Sequence, residues 1–263
     1  RFTDFYVSWT KSPRIVVTVG KQGAPFTLDG ANSSRELLTI DRSNLANNMW
    51  FPMEYLPGVS LSGRRAAWVY RIGMYSSGAA NREFGEFNGG TATLGVIGYD
   101  FASKPKVREA LLSGNYVYQT ADRNNTFTRP FDHIGSINFR FEKVKWGART
   151  DFTMGSGYLG QSDMWAVQAM PFYNVTNKFQ VVGRYTYIDS ADPNGVRLAT
   201  YENRVVLGRG DEYNEGYLGA NYYFYGHRLK LQTGVQFVDM NDRANDGGAY
   251  SGVSWTMGRR VGW

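Results

Sequence analysis

Cysteine is absent, which excludes thiolate metal sites and a cysteine nucleophile. Histidine is nearly so: only His133 and His227 occur, one near a strand start and one in a turn-like segment. Two such positions assemble neither a Ser-His-Asp arrangement nor a metal cluster, so neither an enzymatic activity nor a cofactor is expected. Long apolar runs are missing too. No stretch approaches the roughly 18 apolar residues that a transmembrane helix needs, and the mean hydropathy is −0.42. Helical periodicity in Ala-, Leu-, Glu- and Lys-rich segments, normal in a soluble chain of 263 residues, is almost lacking. The excess of basic residues, +6 at pH 7, forms no run. That argues against a nucleic-acid partner and leaves anionic lipid or small anions. No initiator methionine or leader precedes Arg1, which opens directly onto a strand pattern, as expected of a mature or truncated form.

What is present is alternation. Thirteen segments follow period two, near 2–10, 14–21, 58–64, 67–75, 91–100, 109–120, 133–142, 146–154, 163–173, 179–189, 215–224, 229–239 and 250–263. In the second, Ile15, Val17 and Val19 share one face and Val16, Thr18 and Gly20 the other. In the twelfth, Leu231, Val235 and Phe237 oppose Lys230, Gln232 and Gln236, and in the last, Val253, Trp255 and Trp263 oppose Ser254 and Thr256. A soluble sandwich also alternates, so the connections decide. They run short, long, short, long: Lys11–Pro13, then Gln22–Pro57; Arg65–Ala66, then Ser76–Gly90; Lys143–Lys145, then Gly155–Ser162. The parity holds over all twelve connections, as in a transmembrane barrel with short turns on the periplasmic rim and longer loops outside. Aromatic residues cluster toward strand ends, as at Tyr116 and Tyr118, Tyr185 and Tyr187, and Tyr222 to Tyr225, as interfacial girdles require. The class expected is therefore all-β, a transmembrane antiparallel β-barrel forming a single domain over 1–263. Because closed bacterial barrels normally have an even strand number, one or three N-terminal strands are expected to be missing, for about 14–16 strands in the complete barrel.

Specific residues then resemble one family. The stretch 17–63 carries Gly20, Pro25 and Phe26, then Ser33, Ser34 and Arg35, then Asp41, Arg42 and Ser43, then Gly58 to Gly63. This is similar to the pattern of the phosphate-selective porin O and P family. Asp4 to Trp9 is similar to that family's Asp-Ala-Tyr-x-x-Trp strand, and 210–217 with 227–234 resembles its final hairpin. Gly23 departs from it, standing where an aromatic is usual. The resemblance implies a barrel of about 16 strands, trimeric, in the bacterial outer membrane, with a loop folded into the lumen. Partners would be small anionic solutes such as phosphate, outer-membrane lipid and lipopolysaccharide.

On this reading Arg71, Arg140, Arg149, Arg184 and Lys230 lie on the lumen face, with Arg14 and Arg64 near the periplasmic rim. Forked guanidinium donors along a pore pass an oxyanion on without trapping it; the alternative is that these charges merely pair with groups such as Asp151 and Glu142. The long loop 22–57 is expected to fold inward, to form a short helix over 33–38, and to offer Arg35 and Arg42 to solutes. Asp239, Asp242 and Asp246 match no dependable calcium-loop spacing. The function expected is a water-filled, anion-preferring, phosphate-like channel. The competing reading is a scaffold or adhesin with a plugged lumen.

Overall fold

The structure is a computed structural model describing residues 4–49, 55–76, 89–102, 106–125, 129–199, 208–242 and 247–261; within 247–261 it describes the backbone and, of the side chains, only Met257 and Gly258. Strands β1 (Phe5–Ser12), β2 (Ile15–Gly23), β3 (Tyr55–Arg65), β4 (Trp68–Ser76), β5 (Thr91–Asp100), β6 (Val107–Gln119) and β7 (Phe131–Lys143) follow one another. Next come β8 (Trp146–Gly157), β9 (Met164–Asn174), β10 (Phe179–Ser190), the two-residue β11 (Val196–Arg197) and β12 (Arg209–Gly210), and then β13 (Glu212–Tyr223), β14 (Leu229–Asp242) and β15 (Gly247–Val261). All but β11 and β12 form one 13-stranded sheet in chain order without a crossover, antiparallel at every pairing from β1–β2 to β14–β15.

Period two fixes which side chains face where. Along β10, Gln180, Val182, Arg184, Thr186, Ile188 and Ser190 are buried, while Phe179 and Tyr185 are exposed. Along β14, Lys230, Gln232, Val238 and Met240 are buried, with Leu231 and Phe237 exposed. Ile15 and Val19 stand on the exposed face, Val17 and Val235 are partly covered, Thr18 is buried and Gln236 is intermediate. The side chains of Val253, Trp255, Thr256 and Trp263 lie outside the described residues. An outer surface carrying Ile72 at 57%, Ile137 at 60% and Leu218 at 63% exposure is apolar beyond what water tolerates in a contiguous patch and suits lipid.

Two aromatic bands flank that surface. At the short-turn end Trp68 meets Tyr99 edge-on at 5.0 Å, Phe141 meets Trp146 at 5.1 Å and Tyr222 meets Phe224 at 4.9 Å. Toward the long-loop end Tyr118 lies 5.2 Å from His133, and Trp165 lies 5.2 Å from Tyr187. Amphipathic rings at two heights match the two interfaces of a bilayer.

The inner face is covered by chain. Residues 24–49 pass over it, and Phe26, Leu28, Leu45 and Met49 are fully buried. Phe26, Leu45 and Met49 form one apolar cluster with Leu56, Tyr75, Leu94, Ile134, Ile188 and Met240. Burying each large apolar side chain is worth about 1.5–3 kcal/mol, so this loop is a packed element. The helix expected over 33–38 is only a single 3-10 turn, Ser34–Glu36, capped by Ser33. Leu37 leaves helical geometry at ψ 138° because its carbonyl turns toward the wall. The α-helix forms later, as α1 (Asn44–Met49). Ser43 precedes it, with its Oγ 3.4 Å from the Ala46 N–H and its own N–H donating to Asp29 Oδ2 at 2.9 Å. Gly20, at φ +128°, marks a bend where a Cβ would meet the Phe5 carbonyl and the Tyr6 Cα, so glycine is required there.

Candidate functional site: the inner wall and its two mouths

The inward cations fall into two groups. Arg184 and Glu215 are each 1% exposed and joined by Nε donating to Oε1 at 2.7 Å. The same guanidinium donates to Thr39 Oγ1 at 2.9 Å and the Asp41 carbonyl at 2.8 Å, and lies 5.3 Å over the Tyr217 ring. Lys230 is fully buried and donates to the Leu37 carbonyl, with Gln232 Nε2 donating to the same oxygen at 3.3 Å. Asn221 reaches the Leu38 carbonyl at 2.8 Å. These two cations therefore bind the long loop; a passing solute would have to displace protein oxygens from them. Asp151 tethers the loop from the other side. Its carboxylate accepts from the Leu28 N–H at 2.6 Å and from the Ser136 and Thr153 hydroxyls at 2.7 and 3.0 Å.

The second group is less engaged. Arg140 and Arg149 are direct cross-strand partners on β7 and β8, an arrangement in which like charges repel. Arg140 has Glu109 at 3.9 Å and the Leu28 carbonyl at 3.4 Å. Arg149 lies 5.9 Å over the Phe172 ring. Among the described residues Arg71 reaches the Gly23 carbonyl, at 3.5 Å. In all three the Nε atom is buried without a hydrogen-bond partner, and among the described residues neither Arg71 nor Arg149 has an ion pair. A buried donor left unmet costs about 1–3 kcal/mol, so three on one face make a site that favours an incoming acceptor. Of the loop arginines, Arg42 is spent inside the loop, donating to the Asp29 and Asn32 carbonyls at 3.1 Å each. Arg35 is exposed at the 3-10 turn. Near the short-turn rim Arg64 pairs with Asp100 at 2.6 Å, and Arg14 is exposed.

Each mouth adds cations that the sequence reading did not single out. At the long-loop end Arg197 and Arg209 are cross-strand partners in the small ribbon, and Arg129 donates through Nε to the Asn47 carbonyl at 3.2 Å. Burial first, then Arg197 and Arg209, push the Arg129 guanidinium down to about 9. It still carries its charge at neutral pH. Asn44 and Asn48 both donate to the Arg197 carbonyl, fastening α1 to this ribbon. Nothing local in the sequence marks Arg197 or Arg209. At the short-turn end a cavity of about 580 Å³ opens beneath Leu38, lined among others by Arg108, Arg149, Lys178 and His227. Among the described residues no group of three metal-ligating side chains occurs; Asp246 lies outside them.

An uninterrupted antiparallel sheet with a banded apolar exterior and a charged, polar interior defines an outer-membrane β-barrel channel. The family model for phosphate-selective porin O and P matches residues 1–170, and the chain belongs to this family of the bacterial outer membrane. The fold is similar to that of OmpT of Vibrio cholerae, with TM-score 0.56 and 12% identity, over 96% of this chain and 78% of that one. It is also similar to Pseudomonas aeruginosa OccK3 (OpdO), with TM-score 0.56 and 14% identity, over 94% of this chain and 65% of that one. The outer membrane channel DcaP of Acinetobacter baumannii matches with TM-score 0.51 and 10% identity, over 94% of this chain and 71% of that one. No curated protein sequence matches the chain.

Proposed function

We propose that this porin forms an anion-preferring path for small solutes of the phosphate type, running past Arg71, Arg140 and Arg149, with the segment 24–49 as its constriction. The observation that carries the reading is the set of three inward guanidinium groups whose buried Nε atoms lack a partner. Their fields add in a narrow, low-dielectric space and favour an anion over a cation. Arg184 and Lys230 set the position of the constriction, and Arg35 faces solvent beside it. The family resemblance supports a homotrimer, with lipid on the apolar band and lipopolysaccharide at the long-loop rim; cross-linking in intact membranes tests the assembly.

The test is the reversal potential of single channels in a potassium chloride gradient. Wild type should reverse on the chloride side. Replacing Arg71, Arg140 and Arg149 together with Gln should move the reversal potential toward that of potassium, and the wild-type preference should weaken above about 0.1 M salt, where the screening length falls to about 10 Å. An unchanged reversal potential in the triple variant removes these residues from the path. A second reading, a closed barrel serving as scaffold or adhesin, is favoured by the depth at which inner-face groups such as Thr18, Ser60 and Gln168 are covered. Under that reading no stable conductance is observed.

A further inference from the structure

The cavity at the short-turn end is framed by three tight connections. Val144 belongs to the β7–β8 turn, Thr176 and Lys178 to β9–β10, and Phe224 and His227 to β13–β14, while Leu38 of the loop forms its roof. Its charge is uneven: Arg108, Arg149 and Lys178 face one carboxylate, Glu142, which Arg108 already holds at 3.3 Å. The amides in the wall are engaged with one another, Gln180 donating to Asn174 at 2.9 Å and accepting from Tyr223 at 2.9 Å. Arg149, with its buried unpartnered Nε, is therefore the group left to bind.

Size discriminates between ligands. A volume of about 580 Å³ falls in the range of pockets for organic metabolites, about 300–1,000 Å³. A bare inorganic oxyanion would leave most of it to water. The apolar side chains Leu38 and Val144 would gain nothing from such an ion and do gain from a carbon skeleton. We propose that this cavity binds a small organic carboxylate, with its charge on Arg149 and its body against Leu38 and Val144, and that protonation of His227 tightens the binding. The proposal rests on the anion path past Arg149 and names a ligand class for its short-turn end.

His227 is placed to act this way. Its Nδ1 lies 3.3 Å from Lys230 Nζ, and an ammonium only donates, so Nδ1 is the acceptor and the ring is neutral. Burial, and then Lys230, hold its pKa below the ordinary value; Glu36 and a hydrogen bond to the Arg35 backbone oppose the shift, and Arg149 adds to it. The Tyr223 ring packs 5.3 Å away, and Arg108, Lys178 and Glu142 line the same space. Protonation places a proton on Nδ1, ends its bond to Lys230 and adds a positive charge to the cavity wall. A bound carboxylate compensates that charge.

The test uses the intact porin in planar bilayers, with benzoate, acetate and sulfate added at pH 7.5 and 5.5. Benzoate stays ionised at both, as carboxylates do above about pH 5. It should reduce chloride conductance at lower concentration than acetate or sulfate. Acidification should lower the half-blocking benzoate concentration, by at most about three-fold once His227 is fully protonated, the attraction of one added charge about 7 Å away through water. Arg149→Gln should raise that concentration about ten-fold, the loss of a charged hydrogen bond. In His227→Gln the ratio of half-blocking concentrations at the two pH values should fall to about one. Should Arg149→Gln fail to fold, Lys178→Gln, on the exposed rim, should raise it by a smaller factor. Benzoate acting no better than acetate, or equally in wild type and the Arg149 or Lys178 variant, overturns the proposal. Thermal denaturation in micelles reads the same titration without conduction, so benzoate binding in a cation-preferring or closed barrel rejects the anion path while supporting the cavity.

Discussion

Arg184→Met should destabilise the barrel more than any single change to the other wall arginines. The substitution removes the 2.7 Å bond to Glu215 and the two bonds that hold Thr39 and Asp41. It leaves Glu215 at 1% exposure with, among the described residues, the Tyr213 hydroxyl at 3.1 Å and the Thr186 hydroxyl at 3.4 Å as side-chain donors. Breaking a buried ion pair from one side costs about 3–5 kcal/mol, because the surviving charge has lost its counterpart. Glu215→Gln should cost a similar amount by stranding the guanidinium. The double variant Arg184→Met with Glu215→Gln removes both charges, so its cost should be well below the sum of the two singles, a coupling of at least about 2 kcal/mol. Urea unfolding in detergent micelles, followed by tryptophan fluorescence, measures each corner of this cycle. Single-channel recording adds an independent readout: both variants lacking Arg184 free the 39–41 stretch and should show larger, noisier conductance, whereas Glu215→Gln should not. Additive costs would show that Arg184 and Glu215 do not depend on one another, and the account of this wall would fail.

Asp151→Ala strands the Leu28 N–H at a cost of about 1–3 kcal/mol and should raise conductance fluctuations; a quiet channel of unchanged stability argues against the tether. Gly234→Ala should destabilise strongly, since a Cβ there runs into the Tyr217 ring, while Gly114→Ala should be close to neutral because nothing lies within 4 Å; equal unfolding midpoints refute the packing. His227 is depressed in the folded state, so below the ordinary value of about 6.5 the unfolded chain binds more protons and stability falls with pH until the folded pKa is passed. Comparing urea midpoints at pH 7.5 and 5, wild type should lose more than His227→Gln, and equal losses would count against it.

Strand positions were readable because one residue of slip moves every side chain to the wrong face. Val17, Thr18 and Val19, or Leu231 and Gln232, announce their orientation locally. Strand lengths were less legible: β13 starts at Glu212 and β7 at Phe131, beyond the expected 215 and 133, because under the loop's cover the added inward positions, Tyr213 and Phe131, are apolar rather than polar. The same cover explains Ile134, Ile188, Val238 and Met240, apolar residues on the inward face that look out of phase until the loop's Phe26, Leu45 and Met49 are placed against them. The helix α1 left little trace because Asn44, Asn47 and Asn48 are poor helix formers; partners far along the chain, such as Arg197, stabilise it. Candidate pore arginines could be named from phase alone. Which of them are occupied depends on carbonyls of Leu37 and Asp41, whose orientation no local pattern encodes.

The span of those loop contacts dictates an order of assembly. Leu37 accepts from Lys230 across 193 residues and from Gln232 across 195, and Leu38 from Asn221 across 183, whereas every pairing in the large sheet joins strands that follow one another within that sheet. Local hairpins close cheaply, and long-range contacts pay more chain entropy before they return anything. The oxygens of Leu37 and Leu38 have no donors to meet until β13 and β14 stand in the wall. Zippering must therefore run ahead of docking, so the nascent barrel is wider and leakier than the finished one. The last step of maturation is a narrowing, and an assembly machinery that releases the chain early would release it in its most permeable form.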